Sequence, residues 1–458
     1  MRKINILLFF ILLSQISFSN VIMPSVFSDH MVLQQQDDVK IWGWASPHEK
    51  ITIAPSWTNE TYKTEASNLA SWQIKIKTPK YGGPYTISIK GYNEVVLKDV
   101  LIGEVWLCSG QSNMEMSASW GIDNGEEEIA KANYDNIRFF TSPKMAANSE
   151  QNNIISSWEI CTSESMKYAS SAAYFFAKKL QQTMKDVPVG LMVSAWGGTP
   201  IEIWTPENII KKDTVLLNAA NKLTPVSYGP IKPGKAFNTM INPLIGYKIA
   251  GALWYQGESN VGSDVYDENL AALITSWRKL WGYNFPFYFV QIAPYNYGEN
   301  HFGGVIIRDA QRKAANQIKN SGMVVISDVS PIDDIHPKDK KAVGFRLANL
   351  ALKNHYHLIN DLVESPSVSE LHLDKNKAVI SFNHADGLYA NSKKSMFEIS
   401  GDDYVFYPAK MKIKNNTIII SSKKVKYPKS IRFAWGNNVQ SNLFNKANLP
   451  LSSFIIEK

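Results

Sequence analysis

Gly110-Gln111-Ser112-Asn113-Met114 directly follows the apolar run Val105-Trp106-Leu107-Cys108. An apolar strand that ends in a glycine-bearing turn with one serine presents a nucleophilic hydroxyl at the edge of an α/β sheet. Met114 stands where Gly-x-Ser-x-Gly would have its second glycine, so the match is partial. The bland alternative is a strand-to-helix turn in which Ser112 merely caps. A nucleophilic serine also needs a base within hydrogen-bond reach and donors for an oxyanion. Three downstream segments offer them. Asp333-Asp334-Ile335-His336-Pro337 comes after Met323-Val324-Val325-Ile326. Trp254-Tyr255-Gln256-Gly257-Glu258-Ser259-Asn260 comes after Ile249-Ala250-Gly251-Ala252-Leu253. Ser194-Ala195-Trp196-Gly197-Gly198-Thr199 comes after Val189-Gly190-Leu191-Met192-Val193. Four apolar strands thus deliver polar or glycine residues at their C-terminal ends, where open parallel sheets place ligands.

The quartet resembles the SGNH hydrolases, specifically the sialate O-acetylesterase group of carbohydrate esterases. Asp29-His30-Met31-Val32-Leu33-Gln34, Asn238 to Leu244, Arg308-Asp309-Ala310-Gln311 and Asn442 to Asn445 fit the same pattern. The resemblance implies a three-layer α/β/α, flavodoxin-like hydrolase domain. It implies Ser112 as nucleophile and His336 as general base. The oxyanion donors would be the Ser112 N–H, the Gly198 (or Gly197) N–H and the Gln256 side-chain amide. Gln256 stands where many such enzymes carry asparagine. For the acid, the Asp-x-x-His spacing selects Asp333, whereas Asp334 fits the Asp-Ile-His-Pro form. A backbone carbonyl is a third way to orient the imidazole, and the two aspartates would otherwise only cap a helix beginning near Pro337.

The implied substrate is an acetylated sugar or glycan, with 9-O-acetylated sialic acid first and acetylated xylan or another glycan next. Trp196, Trp204, Trp254 and Tyr255 lie beside the motifs and are candidates to wall the pocket, although aromatics at strand ends more often pack a core. Arg308 and Lys338 are candidate partners for a sialate carboxylate. Two rival readings stand beside the esterase: a catalytically silent carbohydrate-binding protein and a lipase or thioesterase. The polar 205–237 region is a poor long-chain lid.

Positioning these residues requires alternating strands and helices, and the chain has them. From 20 to about 100 the polar–apolar alternation of Val39 to Trp44 and Tyr85 to Ile89 reads as a small β-sandwich. From 101 to 356 apolar strands alternate with helical stretches at Ser170–Met184, Glu268–Leu280, Arg308–Asn320 and Lys340–Lys353, a βαβ rhythm. Residues 205–237 read as a helical insertion and loop, either at the pocket rim or as a passive excursion. Alternation returns from 364 to 458 as a second β domain.

Residues 1–19 carry Arg2-Lys3, an apolar core from Ile4 to Ile16 and small residues at Ser17-Phe18-Ser19, the layout of a signal peptide. The expectation is a secreted or periplasmic protein with no integral membrane segment once the leader is removed. The chain of 458 residues has a formal net charge of +7, with Arg2 and Lys3 among its 48 basic residues. The excess is spread out rather than clustered, which argues against nucleic acid as a partner. Cys108 and Cys161 are the 2 cysteines, and both read as buried thiols. Histidines do not pair with cysteines or carboxylates at zinc spacing, so neither metal nor cofactor is expected. The oligomeric state is not legible in the sequence.

Overall fold

A computed structural model describes residues 20–298 and 302–457; the signal peptide expected over residues 1–19 lies outside the described residues. At its centre is a parallel sheet in the order Ser321–Val324, Phe287–Val290, Gly251–Tyr255, Glu94–Gly110, Val189–Ala195, Asn133–Thr141, closed on one side by the antiparallel Trp158–Thr162. The strand Glu94–Gly110 is the pivot of the molecule. It alternates its side chains between faces, as strand geometry demands. Val105 and Leu107 join the core under the helices Tyr266–Trp281 and Gly303–Gln317. Trp106 and Cys108 join the core under Ser171–Met184 and Lys340–Asn354. Helices on both faces make this a three-layer α/β/α fold.

The same 17-residue strand belongs to two structures. Its first half pairs with Gly82–Lys90 and Val32–Gln34 in the N-terminal β region, and its second half pairs with Val189–Ala195 and Gly251–Tyr255. Residue 100, where the sequence suggests a boundary, therefore lies inside a continuous strand. At the C-terminal side, the sheet of Ser367–Asp374, Lys377–Asn383, Thr417–Ser421 and Lys410–Lys414 faces a second sheet. That second sheet contains Phe397–Ser400, Ser430–Phe433 and Phe454–Glu457, and the two share a core of their own.

Register decides where the chemistry can lie. Gly110 is level with Ala195 on one side and Tyr255 on the other. Three strands thus end together where the chain order reverses, the crevice in which open α/β sheets hold ligands. Gly110 has φ +142°, and a Cβ there would collide with the Tyr255 carbonyl. Glycine is required at this turn because two backbones touch. Both cysteines are buried free thiols, and burial pushes the Cys161 thiol up to about 12. Among the described residues no helix is long and apolar enough to cross a membrane.

Candidate active site

Ser112 opens a single helical turn, Ser112–Glu115, immediately after the pivot strand. The turn closes with Glu115 N–H donating to Gln111 O at 2.9 Å and Met116 N–H to Ser112 O at 2.7 Å. The N–H of Ser112 has no acceptor among the described residues, as expected at a helix start. His336 Nε2 lies 2.9 Å from Ser112 Oγ. The pair comes together from 224 residues apart.

The histidine loop is held by Asp334, whose Oδ1 accepts the His336 backbone N–H at 2.8 Å. Asp334 also pulls the imidazole pKa upward, but burial and, next, the Lys340 ammonium outweigh it and depress it below the usual 6.5. The imidazole is therefore neutral at neutral pH, the form a base needs. Asp333 is exposed and lines an acidic surface cleft with Asp328 and Asp339. Neither aspartate is hydrogen-bonded to Nδ1 among the described residues; Asp334 is the one that grips the His336 backbone and whose charge acts on the imidazole.

Of the two candidate glycines, Gly197 donates its N–H to Glu115 Oε2 at 2.7 Å, and Glu115 Oε1 is paired with Lys144 Nζ at 2.5 Å. Gly198 is different: its N–H has no acceptor among the described residues, and its φ is +74°. A methyl on Gly197 would lie 3.2 Å from Ser112 Cβ, so this turn rests directly on the serine.

Gln256 corrects the expectation of a third donor. It is fully buried. Its Nε2 donates to Thr199 O at 3.2 Å and Asn260 Oδ1 at 2.7 Å, while its Oε1 accepts from Tyr266 OH at 2.7 Å. Both amide hydrogens are spent, so the side chain fixes the carbonyl next to Gly198 rather than facing a substrate.

Arg308 is also corrected. Its guanidinium is buried and donates to the carbonyls of Asn437 at 3.0 Å and Gly436 at 2.5 Å. It ties the Gly303–Gln317 helix to the C-terminal β region and has no surface to offer a sugar. Trp254 is equally enclosed, set edge-on between Trp204 and Trp277 at 6.3 and 6.0 Å. Trp204 and Tyr255 are buried as well, whereas Trp196 is half-buried and donates its indole N–H to Tyr228 O at 3.1 Å. Lys338 is exposed two residues beyond His336.

Two exposed aromatic residues stand at the site, Trp120, which the sequence reading passes over, and Tyr228, which lies in the 205–237 excursion expected either at the rim or as a passive loop. Trp120 is 46% exposed and sets its ring edge-on to His336 at 6.3 Å. Tyr228 is 61% exposed, and its ring lies against the open side of Gly198. It belongs to the loop that follows the short helices Glu207–Lys212 and Thr214–Asn221, so the 205–237 excursion reaches the candidate site. Nothing in the local sequence marks Trp120, which ends the short 3-10 turn Ala118–Trp120 and belongs to no motif. Among the described residues, no group of three or more His, Cys, Asp or Glu is placed to hold a metal ion.

Comparison with known proteins identifies the family. The family described as carbohydrate esterase, sialic acid-specific acetylesterase, matches residues 102–353, a span that includes Ser112 and His336. The chain is 30% identical over 416 residues to a human sialate O-acetylesterase, covering 82% of this chain and 79% of that protein. It is 27% identical over 440 residues to the mouse sialate O-acetylesterase, covering 82% and 81%. Its structure is similar to that of a carbohydrate acetylesterase from Xanthomonas citri, with a TM-score of 0.87 and 31% identity, covering 96% of this chain and 100% of that one. The chain belongs to the sialic acid-specific acetylesterase family of carbohydrate esterases.

Proposed function

We propose that the protein removes O-acetyl groups from sugars by acyl transfer through Ser112, and that 9-O-acetylated sialic acid is the first substrate to consider. The observation that carries the reading is the 2.9 Å contact between Ser112 Oγ and His336 Nε2; burial depresses the imidazole pKa, which favours its basic form, and the N–H groups of Ser112 and Gly198 have no acceptor among the described residues.

Ser112 Oγ attacks the acetyl carbonyl while His336 Nε2 takes the hydroxyl proton. The N–H groups of Ser112 and Gly198 stabilise the negative charge on the carbonyl oxygen. Collapse breaks the ester C–O bond, and His336 returns its proton to the departing sugar oxygen. Water then attacks the acetyl-serine with His336 as base, releasing acetate and restoring Ser112. Asp334 stabilises the imidazolium that forms in each step.

The substrate preference rests on the family description and on the names of the mammalian relatives. Lys338 is the exposed cation nearest in sequence to His336 and a fitting partner for a sialate carboxylate. Trp120 and Tyr228 supply apolar faces for a sugar ring or an acetyl methyl group. Acetylated xylan or another acetylated glycan is the second reading, favoured by the broader name of the Xanthomonas relative. The leader supports action outside the cytoplasm.

Acetate release from 9-O-acetylated sialic acid and from acetylated xylan, wild type against Ser112→Ala, tests the reading. Release lost with Ser112 supports it, and the preferred compound names the substrate. Release that survives the substitution refutes it.

A further inference from the structure

The residue after the candidate nucleophile grips the residue before the candidate base. Asn113 is fully buried, and its Nδ2 donates to the carbonyl of Ile335 at 3.0 Å. Its other amide hydrogen goes to Glu258 Oε1 at 2.6 Å, and its Oδ1 accepts from Lys340 Nζ at 2.6 Å. Both amide hydrogens and the carbonyl oxygen are thus engaged, and they tie the nucleophile turn to the histidine loop, to the turn Glu258–Asn260 after the strand Gly251–Tyr255, and to the start of the helix Lys340–Asn354.

A charged pair separated by an amide is an unusual thing to bury. Taking an ammonium and a carboxylate out of water costs several kcal/mol each in general, and a salt bridge would have been the direct way to offset it. Here the two groups are held apart by Asn113, burial pushes the Glu258 carboxyl up and the Lys340 ammonium down, and Glu258 Oε2 has no partner. What the arrangement provides is orientation. An asparagine whose carbonyl faces an amine and whose amide faces a carboxyl oxygen loses both bonds if it flips, so its second hydrogen is aimed at Ile335.

We propose that Asn113, oriented by Lys340 and Glu258, locks the nucleophile turn to the histidine loop, which makes Asn113 and Lys340 positioning residues for the Ser112–His336 pair. This rests on the acyl-transfer reading above. The lock has an electrostatic consequence as well. The groups facing His336 are Ser112, the Trp120 ring, Asp334 on its own loop and Lys340 on the neighbouring helix. Those facing Lys340 are Asn113, Glu258, Asp334 and the Tyr255 ring at 5.2 Å. Burial draws the Lys340 ammonium down to about 7, while Glu258 and Asp334 act against that. Its positive charge keeps protons off His336, so the lock also helps hold the base in its working form.

The test is the rate at which an aryl phosphonate labels Ser112, followed across pH, because this probe needs no knowledge of the sugar. Lys340→Met and Asn113→Ala each slow labelling roughly ten- to a hundredfold, the scale of a misplaced reacting group, without weakening the saturation constant for the probe. The double variant is no slower than the slower single one, since both act through one contact. In Lys340→Met the acid limb of the rate moves to higher pH, which a merely structural loss would not do. If Lys340→Met fails to fold, Asn113→Ala carries the test on rate and saturation constant. Labelling of both variants at the wild-type rate, or losses that multiply in the double variant, overturns the lock while leaving Ser112 as nucleophile. Absence of label on wild-type Ser112 would instead refute the acyl-transfer reading itself, and the lock with it.

Discussion

The backbone N–H of Gly197 is bonded to Glu115 Oε2 at 2.7 Å. This one bond assigns different tasks to two adjacent glycines. Gly197 anchors the turn to the nucleophile helix, and the N–H of Gly198 has no acceptor among the described residues, as the proposed oxyanion role requires. Gly198→Ala must hold a left-handed backbone with a Cβ that runs into Tyr228. The expected loss is roughly a hundredfold in turnover, the scale for a missing oxyanion donor. Adding Tyr228→Ala removes the collision and restores part of it. Steady-state rates on a small acetyl ester check both.

The pH dependence has a definite sign. The imidazole works when neutral, and its pKa lies below 6.5 because burial and Lys340 disfavour the charged form. The acid limb of kcat/KM is therefore expected below pH 6.5. Asp334 acts in the opposite direction, so Asp334→Asn should move that limb to still lower pH and cut the rate. Asp333→Asn should leave both near wild type, because Asp333 is exposed and away from the ring. A larger effect from Asp333 would restore it as the acid of the triad.

Arg308→Met should loosen the C-terminal β region rather than damage sugar binding. It removes the guanidinium donors to Gly436 and Asn437, whose carbonyls keep only the backbone N–H groups of Val439 and Tyr295, at a net cost of about 1–3 kcal/mol for the charge-assisted bonds lost. Thermal unfolding should shift down by several degrees, with KM unchanged in the folded protein. A raised KM at unchanged stability would return Arg308 to the substrate pocket.

Trp120→Ala and Tyr228→Ala separate recognition from chemistry. The Trp120 ring stands edge-on to His336, and the Tyr228 ring lies against Gly198. Each variant is expected to raise KM for an acetylated sugar severalfold while leaving hydrolysis of a small aryl acetate nearly intact. Equal losses on the two substrates would assign the rings to scaffold rather than sugar.

The three-layer fold was legible because its strands are apolar runs of the right length and its helices carry strong periodic signals. The helix expected at Ser170–Met184 is found at Ser171–Met184, and that expected at Lys340–Lys353 at Lys340–Asn354. Ser112 and His336 could be singled out because each follows a buried strand and the turn chemistry changes abruptly. The choice between Asp333 and Asp334 was not legible, since spacing along a loop does not say which way its side chains turn. Arg308 and Gln256 misled for one shared reason. A polar residue in a motif reads as facing a ligand, but here each satisfies buried backbone carbonyls, and those partners lie up to 129 residues away. Trp120 is hidden for another reason: it is close to Ser112 in sequence, but only folding brings its ring to His336.

The most direct measurement is an acid quench of the enzyme during turnover of an acetyl ester, followed by mass mapping of its peptides. The expected result is an added acetyl group on the peptide carrying Ser112, more abundant when His336 is replaced by a weaker base that slows deacylation more than acylation. Steady turnover with no acetylated Ser112 in either form, or acetyl on another residue, would contradict the acyl-serine mechanism.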